Sequence, residues 1–155
     1  MHRRPGATPL TDFFFHFSAA VVLPFWAAMI VFPGAGWTDK LVRSPLIILP
    51  PIVCYLYFAL PHLPELAAVF VNASPETLAV ALAEPWAAGM FWAYAGAFDL
   101  FVGRWMYLDA RERGISHLFV APALIVAIFL GPVGFTLYAL VRALHRRPLP
   151  DAPSP

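Results

Sequence analysis

The sequence predicts an all-α membrane protein: a polytopic bundle of four transmembrane helices with a short interfacial helix between the second and third. Two observations carry this. Of the 155 residues, 61% are hydrophobic and only 12% are charged, about half the charged share of an average soluble domain. The charges also fall in clusters, at Met1–Asp12, Asp39–Arg43, Glu65–Glu84, Asp99–Arg113 and Arg142–Asp151, with long uncharged runs between them. That alternation is the pattern of spans and loops.

Span one is Phe13–Phe32, an apolar stretch rich in phenylalanine. At about 1.5 Å per residue it reaches about 30 Å, one bilayer thickness. It is longer than a secretory apolar core, and no small-residue cleavage site follows, so an uncleaved span is expected. Pro33-Gly34-Ala35-Gly36 ends it, and Trp37 takes an interfacial position. A short loop, Trp37–Ser44, leads to span two, Pro45 to about Leu63, whose first turn Pro50-Pro51 must bend or break. In the less regular stretch His62–Glu84, Leu66–Val71 is too short to cross. Ser74-Pro75-Glu76 reads as an N-cap, a first-position proline and a first-turn acid, opening a short interfacial helix over Thr77–Ala83.

Span three runs from Pro85-Trp86 to about Tyr107, with the helix continuing to Arg113. Asp109 and Arg113 stand four apart in the favourable order, and Gly114 suits the residue after the helix. Span four is Leu118–Val141, uncharged, with Pro122 and Pro132 inside it. The membrane domain thus covers residues 12–144, between an N-terminal tail, residues 1–11, and a Pro-rich tail, residues 145–155, expected to be disordered. Four spans put both termini on one side. The basic residues then nearly balance: Arg3, Arg4, Arg142, Arg146 and Arg147 against Lys40, Arg43, Arg104, Arg111 and Arg113. The expectation is that both termini are cytoplasmic.

A formal net charge of +1 gives no concentrated basic face for nucleic acid. The single cysteine, Cys54, excludes an internal disulfide and any cysteine-based metal site. There is no HExxH, no His/Cys cluster, no nucleotide loop and no serine elbow, so no cofactor is expected. His16 and His117 lie near span ends, where histidine is commonly interfacial.

Asp99 is the most informative residue. By helical rise it sits about 20 Å from Trp86 and about 12 Å from Tyr107. A carboxyl group at that depth costs a few kcal/mol, so it is expected to face the bundle interior. It belongs to a heptad seam: Gly89, Gly96 and Gly103 repeat at seven residues, with Trp92, Asp99 and Met106 three positions later. The glycines admit either another backbone or a flat ligand. Asp99 is either a hydrogen-bonded tie between helices or a proton donor. Tyr55, matched to it in depth on span two, is the expected partner, ahead of Tyr57, Tyr94 and Tyr138. Arg104 lies about 140° around the helix from Asp99, where a direct pair is not expected and the side chain can snorkel to the headgroups. Pro24, Pro50-Pro51, Pro122 and Pro132 each free a backbone carbonyl, which is compatible with a pocket.

The run Ala97-Phe98-Asp99-Leu100-Phe101-Val102-Gly103-Arg104-Trp105, then Asp109, Arg113-Gly114-Ile115-Ser116 and Gly131-Pro132-Val133-Gly134, resembles the abscisic-acid-deficient-type family. Leu23-Pro24-Phe25-Trp26, Pro33 and Glu84-Pro85-Trp86-Ala87 fit the same pattern, and the resemblance covers Phe13–Leu144. Tyr94 stands where the family's histidine is expected, and Ala19 near an expected asparagine. Plant members are plastid membrane proteins required to make neoxanthin from violaxanthin; bacterial members are of unknown function. The Ala-, Pro- and Arg-rich composition, with no transit peptide, points to a bacterial inner membrane. The resemblance implies a cofactor-free isomerase of a carotenoid or related polyene, with Asp99 as acid–base group and Tyr55 or Arg104 orienting it. The alternative is a non-catalytic pigment- or lipid-binding protein or a small assembly factor. The partners implied are the bilayer and a polyene, with a homo-oligomer open.

Overall fold

The computed structural model describes residues 8–145, which are helical with no strand among them. The residues 1–7 and 146–155 of the two expected tails lie outside the described part.

Helix α1, Pro9–Val31, starts ahead of the apolar run because Thr8 caps it: its side chain accepts from the Thr11 amide at 3.2 Å, and Pro9 fills the first turn. The expected loop after span one is instead a helix, α2, Gly36–Arg43. Asp39 and Arg43 pair along its exposed side at 2.7 Å, while Thr38 and Val42 are buried. Span two is one long helical run. A 3-10 turn, Pro45–Ile48, precedes α3, Leu49–Ala59, whose first turn holds Pro50 and Pro51, and a second 3-10 turn, Leu60–His62, leads into α4, Leu63–Val71. Leu66–Val71 therefore extends this run rather than forming a separate loop. Ser74 caps α5, Pro75–Leu82, accepting from the Thr77 amide at 3.1 Å as its sequence predicts. Helix α6, Pro85–Arg113, is the longest, and Gly114 ends it at φ 66°.

Contacts along α6 order the bundle. Phe15 stacks on Trp92, Val22 approaches Gly96, Trp26 covers Gly103, and Pro33 meets Tyr107. Both numbers rise together, so α1 runs parallel to α6. Val42 and Arg43 meet Arg104, Tyr55 faces Tyr94, Phe58 covers Gly89 and His62 stacks on Trp86, so the α3 run is antiparallel. We call the Arg113 end of α6 upper and the Pro85 end lower.

The expected fourth span is two helices, α7, His117–Phe129, and α8, Gly131–Leu144. They fold back on each other. Phe119 meets His145 across the open end, at 5.3 Å between ring centroids, and Gly134 lies against Ala127 near the turn. α7 descends from the upper end, where His117 bonds the Ile30 carbonyl, to Gly131 beside Asp99. α8 then climbs back, bringing Tyr138 to Asp109. Each arm is about 20 Å long, short of the roughly 30 Å needed to cross. The segment is thus a helical hairpin whose turn reaches the middle of α6. This corrects the single straight fourth span; within the bundle α1 begins at the lower end and α8 finishes at the upper.

The main core sits in the upper half, where the hairpin packs on α6 and α1. It includes Trp26, Met29, Leu100, Met106, Tyr107, Leu124 and Tyr138. Much of the outer surface is apolar, as at Phe91, Phe98, Phe101, Phe129 and Leu140. Two runs, Pro9–Val31 and Pro45–Val71, are long and apolar enough to cross a membrane. α6 is longer, but Asp99, Arg104 and its glycines interrupt its apolar character. An apolar exterior of this extent is consistent with a membrane protein.

Candidate functional site

Asp99 lies at the centre of α6 and is half-buried. Its carboxylate faces the turn of the hairpin, where a Cβ on Gly131 would strike Oδ1. A side chain at position 131 would require the Asp99 carboxylate to turn away. No protein group hydrogen-bonds the Asp99 carboxylate among the described residues. What faces it is the start of α8, whose partial positive charge favours an anion. In the turn itself Gly131 and Gly134 are buried, while Leu130, Pro132 and Val133 are exposed.

The other two sequence-chosen residues lie elsewhere. Tyr55 is half-buried with its ring 6.5 Å from that of Tyr94 and makes no hydrogen bond to Asp99. Equal depth does not ensure equal azimuth: Tyr94 and Asp99 are five residues apart, on different sides of α6. Arg104 donates from Nε to the Val42 carbonyl at 2.7 Å and from Nη2 to the Arg43 carbonyl at 2.6 Å. It thereby closes the C-terminal end of α2, satisfying carbonyls that lack helical partners. It snorkels upward as the sequence suggests, but its task is to dock α2.

Sequence reasoning missed a polar cluster at the upper end. Asp109 receives Arg113 Nε on both carboxylate oxygens at 2.9 Å and the Tyr138 hydroxyl at 2.6 Å. Arg142 Nε lies 3.0 Å from Asp109 Oδ2 without aligned hydrogen-bond geometry, so this contact is an ion pair. The Arg142 guanidinium also sits over Trp105, 5.5 Å from the ring centroid. The pair Asp109–Arg113 was visible as a four-residue spacing. Tyr138 and Arg142 were not, because a straight fourth span carries Arg142 to the opposite end. Nearby, Tyr107 donates to the Pro33 carbonyl at 2.8 Å and His117 to that of Ile30 at 3.0 Å, closing the end of α1. Among the described residues, no three His, Cys, Asp or Glu side chains gather as metal ligands.

At the exposed ends, the Arg43 hydrogen bond holds the Asp39 carboxyl below its ordinary range. The backbone amide and Ser74 do the same for Glu76 at the start of α5.

The chain belongs to the ABA DEFICIENT 4-like family, whose model matches residues 13–138. No curated protein and no solved structure matches it.

Proposed function

We propose that this family member is a multi-pass membrane protein that isomerises a carotenoid or related polyene epoxide without a redox cofactor, with Asp99 as its acid–base group. The observation that carries this is a carboxylate at half depth, without a hydrogen-bond partner among the described residues, at the turn of a half-crossing hairpin. Opening an epoxide to an allenic alcohol breaks one C–O bond, adds a proton to oxygen and removes one from a neighbouring carbon. Atoms and electrons balance within the substrate, so one carboxyl group can give a proton and recover another. Neoxanthin formation from violaxanthin, which the family resemblance implies, has this form.

The second reading is a polyene-binding protein without turnover. It is favoured by the position of Asp99 against Gly131, since a carboxylate at the start of α8 also stabilises the hairpin.

The orientation follows from charge. Among the described residues, Lys40, Arg43, Arg104, Arg111, Arg113 and Arg142 belong to the upper end, while the lower end carries Asp12, Glu65, Glu76 and Glu84 and no Lys or Arg. With Arg3 and Arg4 preceding α1 and Arg146 and Arg147 following α8 in sequence, the positive-inside rule favours a cytoplasmic upper end, with the start of α1 opposite.

The test is expression in carotenoid-producing cells with chromatography of the pigments, for wild type, Asp99→Asn and Asp99→Leu. The isomerase reading expects a new isomer of unchanged mass with wild type only, both variants inserting normally. A polyene that co-purifies unchanged supports the binding reading. An Asp99→Asn variant with full conversion removes Asp99 from catalysis.

A further inference from the structure

A second feature lies above Asp99, starting at Trp105, about 9 Å farther along α6. At the upper end, α6 and α8 enclose a groove of about 410 Å³ lined by Trp105, Arg113, Phe135, Ala139, Arg142 and Ala143. Its floor and its rim differ in chemistry. Trp105 and Phe135 pack together, 5.7 Å between ring centroids, and with Ala139 and Ala143 they form an apolar channel. The rim is basic. Arg113 and Arg142 both engage Asp109 through Nε. Among the described residues, neither has a hydrogen-bonded partner for its Nη groups. Their side chains are 42% and 38% exposed. One carboxylate facing two guanidiniums leaves the rim one positive charge in excess.

The vertical order suits a lipid. Both arginines converge on Asp109, about 6 Å above Trp105 along α6, and the Arg142 guanidinium rests over the Trp105 ring at 5.5 Å, so the basic rim borders the aromatic floor directly on its upper side. We propose that this groove binds an anionic phospholipid of the surrounding leaflet. The phosphodiester takes the Nη groups of Arg113 and Arg142, and one acyl chain lies along Phe135, Ala139 and Ala143. Guanidinium matches phosphate oxygens in charge and in fork geometry. Bound there, the lipid would bridge the free arm of the hairpin to α6. Asp109 holds the two arginines in position, and its single charge prevents the rim from repelling itself apart.

The experiment is native mass spectrometry of the full chain in detergent, titrated with phosphatidylglycerol and with phosphatidylcholine of the same chains. One excess charge at a membrane surface corresponds to a preference of about fivefold to tenfold for phosphatidylglycerol in wild type. Arg142→Gln should bring the two lipids to near equality. Because that change also disturbs Asp109, Ala139→Phe provides a second route: Ala139 is exposed, and the ring fills the groove without touching an ion pair. It should abolish the preferred adduct while leaving thermal stability intact. Equal binding of both lipids by wild type, or an unchanged preference in folded Ala139→Phe, overturns the site. Displacement of phosphatidylglycerol by an equimolar amount of inorganic phosphate overturns the lipid assignment. Pigment conversion plays no part in either readout, so this result is separable from the isomerase proposal.

Discussion

Gly134→Ala is expected to destabilise the protein although it replaces glycine within a helix. In an open helix interior the change gains about 0.5–1 kcal/mol, because glycine loses more backbone freedom on folding. At Gly134 the new Cβ falls 2.5 Å from both the Cα and the Cβ of Ala127, and closer still to its amide nitrogen. Two of these atoms are backbone, so no rotamer change relieves the clash, and the arms of the hairpin must separate. Overpacking of this kind costs about 1–3 kcal/mol, and an unrelieved backbone contact belongs at the upper end. Subtracting the propensity gain leaves a net loss of about 2 kcal/mol, or about 4–8 °C in Tm for a chain of this size. Gly96→Ala is the internal control: its Cβ would meet nothing nearer than Val22 at 3.9 Å, so it should raise Tm by up to a few degrees. Both are read by thermal unfolding in one detergent at one scan rate, since such transitions are often irreversible. A Gly134→Ala protein as stable as Gly96→Ala would refute the close-packed hairpin and restore a straight fourth span.

Topology gives an independent check: reporter fusions at Met1 and after Pro155 should lie on opposite sides, with the C-terminal reporter cytoplasmic, and a shared side would contradict a hairpin that returns to the upper end. Arg104→Met should uncap α2 at a cost of about 1–3 kcal/mol, the range for charge-assisted bonds to two carbonyls. Amide exchange across Gly36–Arg43 should quicken at least about fivefold while pigment conversion persists, because Arg104 holds α2 and not Asp99. Unaltered exchange in α2 would show that Asp39–Arg43 and the buried Thr38 and Val42 suffice to keep it docked.

Local chemistry was legible in the residues themselves. Ser74 with Pro75 sets the start of α5, Gly114 ends α6 in the left-handed region, and the paired prolines break the start of the second run. These signals act within a turn or two of backbone, so no distant contact is needed to interpret them. The place of Asp99 along its helix was equally legible, because helical rise converts position into distance. Its neighbour was not. Gly131-Pro132 inside an apolar run is compatible with a kinked helix or a reversal, and the local sequence does not separate them. The reversal is decided by contacts that only the tertiary structure assembles: Gly134 admits the backbone of Ala127, and Asp109 gathers Tyr138 and Arg142 from α8. Arg104 illustrates the same division. Its sequence position predicts a side chain reaching for the upper edge, while the carbonyls that receive it belong to residues some sixty positions earlier. Hydrophobic pattern and capping act locally and so persist in the sequence. The pairing of one glycine with one backbone, or one carboxylate with two arginines, depends on where separate helices come to rest.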